Sequence, residues 1–224
     1  MDYIDKGEMN MASNTSKGRA VKGSKFWVQT IINSSMRLDL EEKIGLGPIT
    51  WLSPLRAEGY TEYKLNQENM RSQLKLTKED LAFWPQNEPQ WDAIGVAGDT
   101  IILVEAKAHI EETVTNMSAT SNESIARITK AMKEIFDIMN HLGNGNFESW
   151  VHKYYQLGNR LTFLQKLNQM PNKKAKLVLL NIVEDPTYKC TSMAEWETHT
   201  KAVFNEITGS PETPEHVIVV NFQV

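Results

Sequence analysis

Apolar residues recur at helical spacing at Phe26, Trp27, Ile31 and Ile32, and the pattern predicts a helix reaching about residue 43, stopped by Gly45 and Gly47. Residues 49–55 read as extended and end near Pro54, and a second short helix is expected over 61–74. Two strand-like runs follow, 90–97 and 100–108, joined by Gly98-Asp99, a two-residue hairpin signal. Helical spacing returns at Ile125, Ile128, Met132, Ile135, Phe136 and Met139 within 121–141. After Gly143 and Gly145 a further helix is predicted over 148–169, then a buried strand over 177–183. Ser192 and Glu195 form a capping-box pattern opening a helix that ends near Gly209, and 216–224 closes the chain as a strand. Strand, helix, strand at the C-terminus implies a right-handed parallel crossover beside an antiparallel hairpin. The fold class is therefore α/β, a central mixed β-sheet flanked by helices. Residues 1–23 are rich in Asn, Ser, Lys and Gly without periodicity and read as a disordered tail, leaving 24–224 as a single domain.

The hairpin brings chemistry to one spot. With Gly98 and Asp99 as the turn, Ile94 faces Leu103 and Asp92 faces Glu105, while Lys107 shares the face of Glu105 two residues along. Opposed residues have Cβ atoms about 4.5–5.5 Å apart, and at an effective dielectric near 20 two carboxylates there repel by roughly 3 kcal/mol. Both faces are otherwise apolar: Ile94, Val96, Ile101 and Leu103 on one, Trp91, Ala93, Ile102, Val104 and Ala106 on the other. Carboxylates on such doubly covered strands need a compensating cation. Lys107 supplies one charge, and a hard divalent ion with oxygen ligands would balance the rest. The competing reading is a structural Glu–Lys–Asp salt-bridge cluster, and a bulge in the hairpin would break the opposition.

Asp92, twelve intervening residues, then Glu105-Ala106-Lys107 on an apolar strand resembles the PD-(D/E)XK nuclease superfamily, the restriction-endonuclease-like fold. The wider stretch is similar to a set of uncharacterised bacterial proteins within it, through Ser53-Pro54-Leu55, Glu62-Tyr63, Phe83-Trp84-Pro85, Pro89-Gln90-Trp91-Asp92, Tyr155-Gln156 and Asn159-Arg160. The resemblance implies a metal-dependent phosphodiesterase acting on nucleic acid. Asp92 and Glu105 would bind Mg²⁺ or Mn²⁺, and Lys107 would orient or polarise the attacking water. Trp91 stands before Asp92 where the superfamily often has proline. The superfamily also adds an acidic residue from its first core helix; Glu62 is the candidate, with Glu41, Glu42 and Glu58 competing. A module of the same fold that binds nucleic acid or protein without catalysis is the alternative.

A second polar cluster sits on the helix around residues 150–167. Gln156 and Arg160, one turn apart, fall inside its wide apolar sector, whereas Tyr155 and Asn159 fall on the opposite side and are expected to be exposed. A buried arginine needs an anionic partner, and the resemblance supplies two, a substrate phosphate or the active-site carboxylates.

Charge sharpens the picture. The net charge is −4, but residues 124–180 carry nine Lys/Arg against three acidic residues. Lys130 and Lys133 in this stretch are candidate phosphate contacts; a solvated helix face is the competing reading. The single cysteine, Cys190, excludes an internal disulfide framework and suits a reducing, cytoplasmic setting. No apolar run approaches the roughly 18 residues of a membrane span. No HExxH, P-loop, G-x-S-x-G or G-x-G-x-x-G string is present.

Overall fold

The computed structural model describes residues 18–224. Its five strands are β1 (Thr50–Ser53), β2 (Ala93–Ala97), β3 (Thr100–Lys107), β4 (Lys174–Val183) and β5 (Val217–Gln223). They lie in one sheet in sequence order. β1, β2 and β3 run antiparallel, whereas β3, β4 and β5 are parallel, so the sheet is mixed as expected. Among the described residues seven helices flank it: α1 (Gly23–Ile32), α2 (Met36–Ile44), α3 (Glu68–Leu74), α4 (Asn122–Met139), α5 (Phe147–His152), α6 (Tyr155–Asn168) and α7 (Met193–Thr208).

Alternation along β3 sends successive side chains to two cores. Ile102, Val104 and Ala106 pack with Val28, Ile31 and Leu40 of α1 and α2. Ile101 and Leu103 join Met132, Ile135, Phe163 and Phe204 from α4, α6 and α7. The hairpin is thus covered on both sides. Its register is the predicted one, from Ala97 opposite Thr100 to Ala93 opposite Val104. Gly95 allows β1 to cross closely: a Cβ there would lie 2.6 Å from Ile49 Cγ2 and 3.1 Å from Trp51 Cε3. The capping box at Ser192 and Glu195 is present, and α7 ends at Gly209 in the left-handed conformation, φ 78°.

Three expectations are corrected, each by side chains or segments that compete for backbone groups. The helix expected from residue 26 to 43 is two helices, because the Asn33 side chain donates to Gln29 O at 2.9 Å and Pro54 O at 2.8 Å and accepts from Arg56 N at 2.8 Å. Such local bonds offer the chain an alternative to helix. The helix expected over 148–169 breaks into α5 and α6, where Thr115 N–H takes Lys153 O at 2.7 Å and Met117 N–H takes Val151 O at 3.1 Å. Only 68–74 of the expected 61–74 helix is helical. Of the preceding residues, Tyr63 is held by its bridge to Trp91, and 65–67 form a turn with Asn66 N–H on Glu88 Oε2 at 3.0 Å.

Of the expected disordered tail, residues 1–17 lie outside the described residues. Residues 18–22 are tied to the domain: Ala20 N–H donates to Gln29 Oε1 at 2.8 Å and Arg19 Nη2 to Thr30 Oγ1 at 2.7 Å. Among the described residues no helix is long and apolar enough to cross a membrane.

Candidate active site

The C-terminal end of β3 carries the predicted charges into a partly open position beside α6. Glu105 is 4% exposed and is bound on both oxygens. Lys107 Nζ donates to Oε1 at 2.6 Å, and Arg160 Nε donates to Oε2 at 2.6 Å. Lys107 also donates to Gln156 Oε1 at 3.0 Å. The two polar residues one turn apart on α6 therefore both meet the β3 pair, and the anionic partner of the buried arginine is Glu105.

Arg160 itself is 3% exposed and fixed from every side. Its Nη1 donates to Asn159 Oδ1 at 3.0 Å, its Nη2 to Gln90 O at 2.7 Å, and its guanidinium lies 4.5 Å from the Trp91 ring centre. A planar, forked cation suits this set of acceptors and a ring face at once.

Asp92 sits one residue before β2 begins, at a bend where ladder pairing with β3 has ended. Its Oδ2 accepts the Ala106 N–H at 2.7 Å, so the carboxylate reaches across to β3 just where Glu105 emerges. The bend also breaks the alternation: Trp91 joins the core of Ile94 and Phe163, not the Ala93 face on which the pattern placed it. Trp91 is thereby brought under Arg160, a contact that strict alternation hid.

Glu62 enters from the extended segment before α3, not from a helix. It is bound by Lys25 of α1 at 3.0 Å and lines the same cleft as Asp92. The competitors are engaged elsewhere or face solvent: Glu41 accepts from Trp51 Nε1, Glu58 from the Tyr63 hydroxyl, and Glu42 is exposed.

The electrostatics follow from this packing. Burial and the Glu105 charge push Asp92 up to about 7. Burial also acts to raise Glu105, but the Arg160 and Lys107 charges outweigh it and hold that carboxyl below its ordinary value. Burial acts to lower Lys107, but the charges of Glu105 and Asp92 outweigh it and raise the ammonium above its ordinary value. Burial raises Glu62 against the pull of Lys25, and the Glu105 charge adds to the rise. Two carboxylates in one place are thus set apart, one held ionised and one poised near neutrality.

These donors are hard oxygens of the type Mg²⁺ and Mn²⁺ take, and Asp92, Glu105 and Glu62 feel one another's charge. The donor chemistry fits a divalent ion. The arrangement is nonetheless committed to cations of the protein, and no group of three His, Cys, Asp or Glu side chains among the described residues is spaced to hold a metal.

A polar cleft of about 450 Å³ opens beside Asp92, with Glu62, Asn116, Tyr155, Asn159 and Arg160 in its walls. Asn159 is buried and Tyr155 half-buried, against the expectation that both are exposed. Their side of α6 is not left to solvent: residues 115–118 run along it, with Tyr155 N–H donating to Thr115 O at 3.1 Å, and Asn159 Oδ1 accepts from Arg160 Nη1. Behind Glu105 and Lys107 lies a small cavity of about 50 Å³ lined mainly by apolar side chains including Leu157, Trp196 and Phe204. That space holds no more than a water or two.

Lys130 and Lys133 are not brought to this cleft. Both lie on the exposed side of α4, opposite Ile128, Ala131 and Met132. Most of the basic excess is neutralised locally: Lys133 pairs with Asp137, Arg127 with Glu123, Lys166 with Glu134, Lys153 with Glu206 and Lys174 with Asp99.

Sequence reasoning missed Lys25, Asn159, Trp91 and the extended segment of residues 114–121. An unpaired glutamate at a half-buried position would have asked for Lys25; nothing in the pattern located the other three. Comparison with protein-family models, with curated proteins and with solved structures finds no match to this chain.

Proposed function

We propose that this α/β domain is a restriction-endonuclease-like, metal-dependent phosphodiesterase acting on nucleic acid. The observation that carries the reading is the meeting of Asp92, Glu105 and Lys107 at the end of the β2–β3 hairpin, beside a polar cleft and backed by Gln156 and Arg160. Asp92 and Glu105 would hold Mg²⁺ or Mn²⁺, and Glu62, which lines the same cleft as Asp92, would complete the set only on leaving Lys25. The ion would supply charge for the scissile phosphate and acidity for a bound water.

The chain's own residues have separable tasks. Arg160 keeps Glu105 ionised and fixes its carboxylate plane. Lys107 retains its proton, since two carboxylates outweigh its burial. It therefore acts as a hydrogen-bond donor and local positive charge, orienting a water or an anionic oxygen, and does not serve as a base at neutral pH. Gln156 holds the ammonium in place through its side-chain carbonyl.

One observation favours the second reading, a non-catalytic binding module: both Glu105 oxygens are already taken by cations of the protein. The experiment that separates the two is cleavage of plasmid, single-stranded DNA and RNA with Mg²⁺ or Mn²⁺, wild type beside Lys107→Ala and Lys107→Arg. The enzyme reading expects turnover in wild type alone, with substrate binding largely kept in Lys107→Ala. Arginine is not expected to rescue, because a planar guanidinium cannot take the place of a compact ammonium. No cleavage by wild type, or equal cleavage by all three, overturns it.

A further inference from the structure

Three carboxylates and three cations of the chain meet around the end of the hairpin. Glu62, Asp92 and Glu105 carry three negative charges when ionised, and Lys25, Lys107 and Arg160 carry three positive ones. The set therefore balances by itself. A divalent ion held by these oxygens comes in against cations already in place, and the balance is restored most directly when one of the three gives way.

The three cations differ in how freely they can leave. The Arg160 side chain is 3% exposed and is held by Glu105, Asn159, Gln90 O and the Trp91 ring. The Lys107 side chain is 15% exposed and divides its ammonium between Glu105 and Gln156. Lys25 Nζ lies 3.0 Å from Glu62 Oε1, and its side chain is 32% exposed. A compact ammonium on a flexible stem near the surface can exchange such a contact for water, whereas a buried guanidinium has no water to go to. The backbone under Lys25 can stay where it is. α1 is fixed on either side of that residue, by Gly23 N–H on Thr187 Oγ1 at 3.0 Å and by Trp27 Nε1 on Oδ1 of the buried Asp185 at 2.8 Å. Release of Lys25 is then a side-chain rotation and not a movement of the helix.

We infer that Lys25 is a built-in competitor of the metal: its ammonium caps Glu62, and it swings out to solvent when Glu62 turns to Mg²⁺ or Mn²⁺. This rests on the phosphodiesterase reading above and adds a regulation of that site. The Lys25–Glu62 pair sets how tightly the ion is held, while Lys107 and Arg160 stay on Glu105 throughout. By linkage, whatever strengthens the cap weakens the ion by the same factor.

The test is titration calorimetry of the full chain with MnCl₂ at about 0.15 M salt, where distant exposed charges are largely screened. Wild type is compared with Lys25→Met, Glu62→Gln and the double variant Lys25→Met/Glu62→Gln. Lys25→Met is expected to bind Mn²⁺ about fivefold tighter than wild type or more, the lower end of ordinary coupling between two ligands. In the Glu62→Gln background the same substitution is expected to change affinity by less than about twofold, because no carboxylate remains for the lysine to cap. Lys25→Gln guards against a folding defect in the methionine variant and should bind more tightly too, whereas Lys25→Arg keeps a cation on Glu62 and should stay near wild type. Unchanged or weaker binding in both Lys25→Met and Lys25→Gln overturns the inference. So does tightening of equal size with and without Glu62, the mark of long-range charge and not of a cap. In those cases Mn²⁺ binding that is lost in Asp92→Ala leaves the phosphodiesterase reading standing. Mn²⁺ binding by none of the proteins overturns the inference and that reading together.

Discussion

Arg160 Nε lies 2.6 Å from Glu105 Oε2, a buried ion pair joining α6 to the end of β3. Each partner has further polar contacts, so neither charge is left bare: Glu105 has Lys107, and Arg160 has Asn159, Gln90 O and the Trp91 ring. Removing one partner of such a pair typically costs about 3–5 kcal/mol, because the other stays buried without compensation. Arg160→Gln and Glu105→Gln are each expected to destabilise by that order in urea unfolding. The double variant Glu105→Gln/Arg160→Gln should be less destabilised than the two effects added, giving a coupling energy of at least 1 kcal/mol.

Asp92 behaves in the opposite sense. Its folded-state value of about 7 lies above the ordinary 3.8, so the folded protein holds that proton more tightly than the unfolded chain. The stabilisation is full below about pH 4 and is lost as pH rises through about 7. Asp92→Asn keeps an oxygen for the Ala106 N–H and removes the charge. It should equal wild type near pH 4 and exceed it above pH 7, by up to roughly 4 kcal/mol for the whole displacement. Mg²⁺ or Mn²⁺ should raise wild-type melting most above pH 7 and Asp92→Asn little, and calorimetry should show weaker metal binding in Asp92→Ala and Glu105→Ala. Metal binding equal in all of these would remove Asp92 and Glu105 as ligands.

Lys130 and Lys133 stand on the outer side of α4, away from the cleft. Charge reversal at either is expected to leave oligonucleotide affinity within about twofold and the salt slope unchanged to within one phosphate. A marked fall in slope on Lys130→Glu or Lys133→Glu would show that the strand runs along α4 after all.

The hairpin was readable in the sequence because a two-residue turn fixes the register, and period-two alternation then places every side chain up to Ala93 and Val104. That register points Asp92 at Glu105 and Lys107, but the pairing stops at Ala93, and the bend at Asp92 brings its carboxylate to Ala106 N–H. A charge inside an apolar sector demands an anion, so the need for a partner to Arg160 is legible in the pattern; that the partner is a carboxylate or a phosphate is implied only by the resemblance. What escaped was set by long-range backbone competition. Residues 115 and 117 capture carbonyls of 153 and 151, break a helix that local pattern reads as continuous, and lay their segment along the side of α6 that carries Tyr155 and Asn159. Similarly, Glu62 was placed on a helix because nothing local announces that Trp91 will hold Tyr63 extended.

The position of β3 within the sheet has a consequence for the order in which the molecule assembles. On one side β3 pairs with β2 through a turn of two residues; on the other, Thr100 must find Lys174 and Lys107 must find Asn181. The first closure is local and fast, and the second pays the entropy of a long loop. During synthesis the Asp92–Glu105–Lys107 hairpin leaves the ribosome well before α6 exists, so Glu105 meets Lys107 first and Arg160 only when the excursion between β3 and β4 docks. Capture of Glu105 by Arg160 and closure of the parallel half of the sheet are one late event. A refolding chain that has formed its hairpin but not this contact carries two facing carboxylates and one lysine.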